Sequence, residues 1–344
     1  MTRGSTSRTS VPSNERRLGT TLGVLEKESS TMAVTERPLT LNDYKEDEHN
    51  TWCPQCGDFA ILNCIQRALA QLQIPPHMVA MYSGIGCSGK LPHYVNAFGF
   101  HTLHGRVMPN ATGAKLANRN LTVMAVGGDG DGFGIGCGYF INAGRRNVDM
   151  TYIVFNNGVY GLTKGQGAPT LQRGMKTKSM PEPAIQDNLN PIALAIGSGY
   201  TFAARAYSLD IKAATDIISQ AIEHKGTSFI DMVQTCPTYN DLMTKTWLEE
   251  KVEDRPRLYQ LAGEGYDGVV HDPSNVHEVI AKKAQAVERS YEWGDRIPLG
   301  VFYQARLRTY EEELEERLPE YATTPLVEWE TGERSVDALM DTFR

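Results

Sequence analysis

The chain has 344 residues, with 34 Lys and Arg against 41 Asp and Glu for a net charge of −7. That balance argues against a general nucleic-acid binder, which carries a basic stripe. A content of 41% hydrophobic and 22% charged residues excludes wholesale disorder. No apolar run approaches the roughly 18 residues of a membrane helix, so a soluble protein of about two domains, or one large α/β domain, is expected.

Residues 1–38 are rich in Ser, Thr and Arg and lack a hydrophobic period. Arg3, Arg8, Arg16 and Arg17 give them the composition of a transit peptide, but no amphipathic stripe accompanies it. A disordered extension is the preferred reading, with Met32 an alternative start and a cytoplasmic location. Asp58 reads as the N-cap of a helix to about Leu72, with Ile61, Leu62, Ile65, Leu69 and Leu72 along one face. Val79–Tyr82, Leu121–Val126, Met150–Asn156 and Ser228–Gln234 read as buried strands, and Ser208 as the cap of a helix to about His224. Strands alternating with helices predict an α/β fold, a mostly parallel sheet with helices on both faces. After about residue 240 the strand signal fades, and 275–291 and 308–318 read as helices, the second an acidic solvated face. The expected organisation is an extension over 1–38, an α/β domain over 39–245 and a helical extension over 246–344.

Glycine is in excess, 32 residues against the roughly 24 that average usage would give, and it clusters at Gly84–Gly89 and Gly127–Gly138, just after strand-like runs. Gly127-Gly128-Asp129-Gly130-Asp131-Gly132 would let backbone N–H groups approach a phosphate. No Gly-Lys-Ser/Thr follows, so this is no P-loop, and the aspartates would repel a pyrophosphate unless a divalent cation stood between them. Asn156-Asn157-Gly158-Val159 lies one strand–helix–strand unit further on, which sets both loops side by side at the strands' carboxyl ends. This pairing resembles the thiamine diphosphate motif. The resemblance implies Mg²⁺ held by the side chains of Asp129 and Asn157 and by the Val159 carbonyl.

Six cysteines are too few for a disulfide scaffold in a chain of this size and read as reduced thiols. Cys53-Pro54-Gln55-Cys56 alone fits a redox dithiol, a zinc site or an iron–sulfur site. Cys87, in a glycine loop, and Cys236, just past a strand, can reach the same sheet edge as the aspartate loop. Cys64 reads as a core thiol and Cys137 as a packing residue.

Taken together, the motifs W-C-P-Q-C-G, G-I-G-C-S-G-K (84–90), F-H-T-L-H-G-R (100–106), G-D-G-D, R-R-N-V-D (145–149), N-N-G-V-Y-G-L-T-K-G-Q (156–166) and C-P (236–237) span Trp52 to Gln304. In this order they resemble the β subunit of a two-subunit 2-oxoacid:ferredoxin oxidoreductase. The resemblance implies that Cys53, Cys56, Cys87 and Cys236 ligate one 4Fe-4S cluster. It implies thiamine diphosphate contacts from Ile85, Gly86, Cys87, Ser88, His104, Gly130, Asp131, Gly161 and Leu162, with Lys90, Leu162 and Lys164 near the substrate. It also implies an α subunit that supplies the aminopyrimidine pocket, an αβ dimer of heterodimers, ferredoxin as electron partner and coenzyme A as acyl acceptor. The substrate reading is 2-oxoglutarate, with pyruvate second. A non-oxidative thiamine-dependent decarboxylase subunit and a zinc-stapled binding module are the competing readings. Tyr139 and Asn142 stand where relatives often carry His, which bears on local packing or substrate preference.

Overall fold

The computed structural model describes residues 37–324 together with 326, 329, 340 and 341. The disordered extension expected over 1–38 therefore lies outside the described residues, Arg37 and Pro38 excepted. The fold belongs to the unit beginning at Leu39.

In chain order the elements are α1 (Gly57–Gln71), β1 (Val79–Ser83), β2 (Phe98–His101), α2 (Val107–Ala117), β3 (Thr122–Gly128), α3 (Cys137–Arg146) and β4 (Met150–Asn156). A small hairpin, β5 (Val159–Tyr160) and β6 (Gln166–Gly167), precedes α4 (Pro191–Ser198), β7 (Phe202–Tyr207), α5 (Ile211–Glu223) and β8 (Thr227–Val233). Then come α6 (Lys245–Glu249), β9 (Lys251–Val252), β10 (Arg255–Pro256), β11 (Leu258–Gln260), α7 (Val276–Ser290), β12 (Ile297–Gln304), α8 (Tyr310–Arg317) and α9 (Pro319–Thr323).

Eight strands form one sheet in the order β11-β12-β7-β8-β4-β3-β1-β2. The six from β7 to β2 are mutually parallel, and β12 joins β7 antiparallel with a register shift between Val301 and Tyr303. The sheet is thus mostly parallel, as the alternating pattern predicts. Period-two side-chain alternation feeds two cores. Met124 and Val126 of β3 join Ile61, Ile65, Ile217 and Ile218 on the α1/α5 face. Val123 and Ala125 face the other way, with Phe140, Ile192 and Ala286 of α3, α4 and α7.

Three sequence readings need correction. The cap of α1 is Cys56, and Asp58 is buried inside the first turn. The cap of α5 is Asp210, whose carboxylate accepts from Ala213 N at 3.2 Å, whereas Ser208 is buried two residues earlier. The stretch beyond 240 is not wholly helical, because β12 lies inside the main sheet and β11 at its edge. Pro298 and Gly300 conceal that strand in the sequence. Among the described residues no helix is long and apolar enough to cross a membrane.

Candidate active site at the carboxyl ends of the parallel strands

The loops after β1, β3, β4 and β8 meet at one end of the sheet. Gly84 N donates to Val126 O (3.0 Å), Gln234 N to Asn156 O (3.0 Å) and Gly57 N to Thr235 O (3.1 Å), which also ties the CxxC turn to the segment carrying Cys236. Between these loops lies a cavity of about 200 Å³. Its lining includes Ile85, Gly86, Cys87, Ser88, His104, Gly130, Asp131, Gly161 and Leu162, together with Asp129, Asn157 and Val159. All twelve residues expected to hold the cofactor and its cation therefore face one space. Sequence reading missed Gly128, Phe155, Tyr160, Thr163 and Gln234 in the same wall.

Two buried aspartates organise the cavity. Asp129 Oδ1 accepts from Gly130 N (2.9 Å), and its Oδ2 accepts from Gly158 N (2.7 Å) and from Thr170 Oγ1 (2.5 Å). Burial still pushes its carboxyl up to about 6, against the pull of those donors. Asp131 Oδ1 collects Ile85 N (2.9 Å), Gly105 N (2.8 Å) and His104 Nδ1 (3.1 Å), while its Oδ2 is buried without a partner. Gly84 has to be glycine, since a Cβ there would fall on the Asp131 carboxylate. Asn157 Oδ1 accepts from Val159 N at 3.0 Å, which closes the asparagine turn, and the Gly158 N bond to Asp129 ties that turn to the aspartate loop. One carboxylate, one amide oxygen and one backbone carbonyl form a hard-oxygen donor set of the kind Mg²⁺ takes, and the orphaned Asp131 oxygen shows a local excess of acceptors over donors. The residues fit the cation and the diphosphate it would anchor.

Behind this wall, Cys87 and Cys236 bracket Gly161. A Cβ at that position would sit 3.3 and 3.8 Å from the two sulfurs. Trp52 Nε1 donates to Cys87 O (2.7 Å), and Cys56 N to Cys53 O (3.1 Å). Burial pushes the Cys56 thiol far up, with Asp58 beside it adding and Cys236 and Cys87 contributing; burial likewise takes Cys87 up to about 11. Asp58 is itself driven up to about 7 by burial, with only the Cys56 thiol beside it and Lys90 acting from further away. Among the described residues no three His, Cys, Asp or Glu side chains are arranged to hold a metal ion. The four cysteines are neighbours but not in ligating geometry. Four soft sulfur donors fit an iron–sulfur cluster or zinc.

Of the substrate candidates, Leu162 lines the cavity and is half exposed. Lys90 and Lys164 are not part of the lining. Lys90 Nζ lies 3.3 Å from Thr51 O, and Lys164 is exposed on the β5–β6 turn with φ +81°. Tyr139 lies under the Arg106 guanidinium (4.7 Å), and Asn142 Nδ2 donates to Gly138 O (2.8 Å), both on α3 and away from the cavity.

A parallel α/β sheet with a buried aspartate loop and an asparagine turn at its carboxyl edge defines a thiamine diphosphate domain. Residues 80–232 match the family described as "Thiamine pyrophosphate enzyme, C-terminal TPP binding domain". Residues 236–318 match the family of the C-terminal region of the pyruvate ferredoxin oxidoreductase beta chain. The 2-oxoacid:ferredoxin oxidoreductase subunit beta of Saccharolobus solfataricus is 52% identical over 282 residues, covering 81% of this chain and 90% of that one. The 2-oxoglutarate oxidoreductase subunit KorB of Mycobacterium tuberculosis is 35% identical over 321 residues, covering 86% of each. Among solved structures, 2-oxoglutarate:ferredoxin oxidoreductase from Magnetococcus marinus, with 2-oxoglutarate, coenzyme A and succinyl-CoA bound, superposes with a TM-score of 0.75 at 31% identity. It covers 89% of this chain and 96% of that one. The chain belongs to the β subunits of the 2-oxoacid:ferredoxin oxidoreductases.

Proposed function

We propose that this chain brings the diphosphate half of a thiamine diphosphate site and a 4Fe-4S cluster to a cytoplasmic α–β enzyme, arranged as a dimer of heterodimers. The enzyme would convert a 2-oxoacid, 2-oxoglutarate in first place, and coenzyme A to acyl-CoA and CO₂. Two electrons would go to ferredoxin, with the 4Fe-4S cluster supplying one-electron chemistry when bound, and one proton would be released. The observation that carries this reading is the single cavity lined by all twelve expected cofactor and cation residues. The choice of 2-oxoglutarate is supported by likeness to the KorB relatives and to the solved 2-oxoglutarate enzyme. Pyruvate is the second reading, favoured by the family matched over 236–318.

Thiamine diphosphate, when bound, supplies the carbanion stabilisation that 2-oxoacid decarboxylation requires and no side chain offers. The chain's own residues hold it. Asp129, Asn157 and the Val159 carbonyl would hold Mg²⁺ for the diphosphate. Ile85, Gly86, Ser88 and Gly130 bring backbone close to it. Asp131 fixes His104 through Nδ1, so that Nε2 donates to a phosphate oxygen only in the imidazolium form. Leu162 would offer the substrate an apolar contact at the mouth, and Lys164 and Lys90, which stand outside the lining, would reach its carboxylate groups only by swinging toward the mouth. Cys53, Cys56, Cys87 and Cys236 would hold the cluster, and two of them, Cys87 and Cys236, flank the cofactor wall at Gly161.

The test is the iron, sulfide, zinc and thiamine content of the anaerobically purified protein with its co-purifying partner. About four iron and four sulfide per chain, lost in Cys236→Ala, support the proposal. Zinc in place of iron, or thiamine without iron, overturns the redox part. Viologen reduction faster with pyruvate than with 2-oxoglutarate selects the second substrate.

A further inference from the structure

Asp129 is held by a residue that neither half of the cofactor motif contains. Thr170 lies 41 positions further along the chain, past the β5–β6 hairpin, and its Oγ1 reaches Asp129 Oδ2 at 2.5 Å. The backbone delivers it there. Ala168 N donates to Gly158 O and Leu171 N to Ala168 O, each at 2.9 Å, so the segment after β6 turns back over the asparagine loop. Gly158 N donates to the same Oδ2 at 2.7 Å. That oxygen therefore has two donors, while Oδ1 accepts only from Gly130 N. A carboxylate oxygen offers about two lone-pair directions. Oδ2 is filled, and Oδ1 keeps one direction open.

We propose that Thr170 is the positioning residue for Asp129 as a divalent-cation ligand: its hydroxyl locks Oδ2 so that Oδ1 is presented to the metal. The inference rests on the reading of Asp129 as a cation ligand. Each of the other bonds to this carboxylate comes from a backbone N–H, so Thr170 is the side chain through which substitution alters the ligand's orientation without altering the ligand. Partners of this kind, which orient a ligand, are worth about 10- to 100-fold in metal affinity.

The experiment is Mn²⁺ binding, read from the electron paramagnetic resonance signal of free Mn²⁺ in the presence of thiamine diphosphate. It uses the chelator-stripped protein with its co-purifying partner. Thr170→Val and Thr170→Ala lack the hydroxyl and differ in volume, whereas Thr170→Ser keeps it. The expected result is Mn²⁺ affinity at least tenfold weaker in the Val and Ala variants and within about twofold of the parent in the Ser variant. Where the Val variant fails to fold, judged by circular dichroism, the Ala variant carries the same comparison. Parent-like affinity in a folded Val or Ala variant overturns the proposal, and so does an equal loss in the Ser variant. If the parent protein itself shows no saturable Mn²⁺ binding, the cation reading of Asp129 fails first and takes this inference with it.

Discussion

Arg205 and Asp231 are the central buried ion pair of the sheet, on the neighbouring strands β7 and β8. They are 1% and 0% exposed, and Arg205 Nε reaches Asp231 Oδ2 at 2.8 Å. Asp231 Oδ1 accepts from Asn156 Nδ2 at 2.8 Å, so the pair also fixes the residue before Asn157. The guanidinium lies over the rings of Trp293 and Phe302, 5.1 and 5.2 Å from their centroids. Arg205→Met preserves much of that apolar contact but leaves a buried carboxylate with one neutral donor. Breaking such a pair costs about 3–5 kcal/mol, a large part of the roughly 5–15 kcal/mol that holds a typical domain folded. At about 2–3 °C per kcal/mol for a chain of this size, the melting temperature should fall by roughly 6–15 °C. Arg205→Met/Asp231→Leu removes both charges and orphans only the Asn156 amide, a cost of about 1–3 kcal/mol. The double variant should therefore melt above the single one. Near-ultraviolet circular dichroism melts at one protein concentration make the comparison. A single variant within about 2 °C of the parent, or a double variant that melts no higher than the single, would refute the account of the pair as buried and mutually neutralising.

His224 carries a second prediction, on pH. Thr201 Oγ1 donates to Asn147 Oδ1 (2.7 Å) and so must accept from His224 Nε2–H (2.8 Å), while burial first, then Arg306 and Lys225 against the pull of Asp149, lowers the imidazole to about 4. The unfolded chain binds this proton near pH 6.5 and the native chain does not. Stability is thus intact above pH 6.5 and falls toward pH 4 by up to about 3 kcal/mol from this group; His224→Gln should flatten that part of the pH–stability curve, and an unchanged slope would count against it. Gly84→Ala should displace the Asp131 carboxylate from Ile85, Gly105 and His104 and weaken thiamine diphosphate binding at least tenfold by equilibrium titration, each bond to a charged acceptor being worth about 1.5–3 kcal/mol.

The site was more legible in the sequence than the frame around it. β1, β3 and β4 are apolar runs that end directly in glycine or asparagine loops, so strand and loop chemistry announce each other, and β8 runs on into Cys236-Pro237. β7 was hidden because Ala203, Ala204 and Ala206 favour helix by propensity and Arg205 interrupts the apolar pattern; only its buried partner on β8 explains that arginine. Asp58 and Ser208 are good caps by residue type, but tertiary placement overrides both. The CxxC turn, with Gln55 at φ +65°, starts α1 two residues early and carries Asp58 into the interior. Thr170 gave no signal, since its role exists only once the segment after β6 has folded back over Gly158.

The energetics at the carboxyl edge differ from those inside the sheet. Asp231 has an arginine, and its charge is settled within the chain. Asp129 has no cation against it, Asp131 has the His104 ring and Asp58 only a more distant Lys90: burial raises all three, two of them to about 6 and about 7, although backbone donors crowd Asp129 and Asp131. An ionised Asp129 held some two units above its ordinary range costs the apo chain about 3 kcal/mol at neutral pH, which the same sequence could have avoided with an asparagine. Under the proposed cation site, a positive charge arriving from outside the chain would offset that cost. A divalent cation at Asp129 would then make the folded chain more stable with its cofactor than without it.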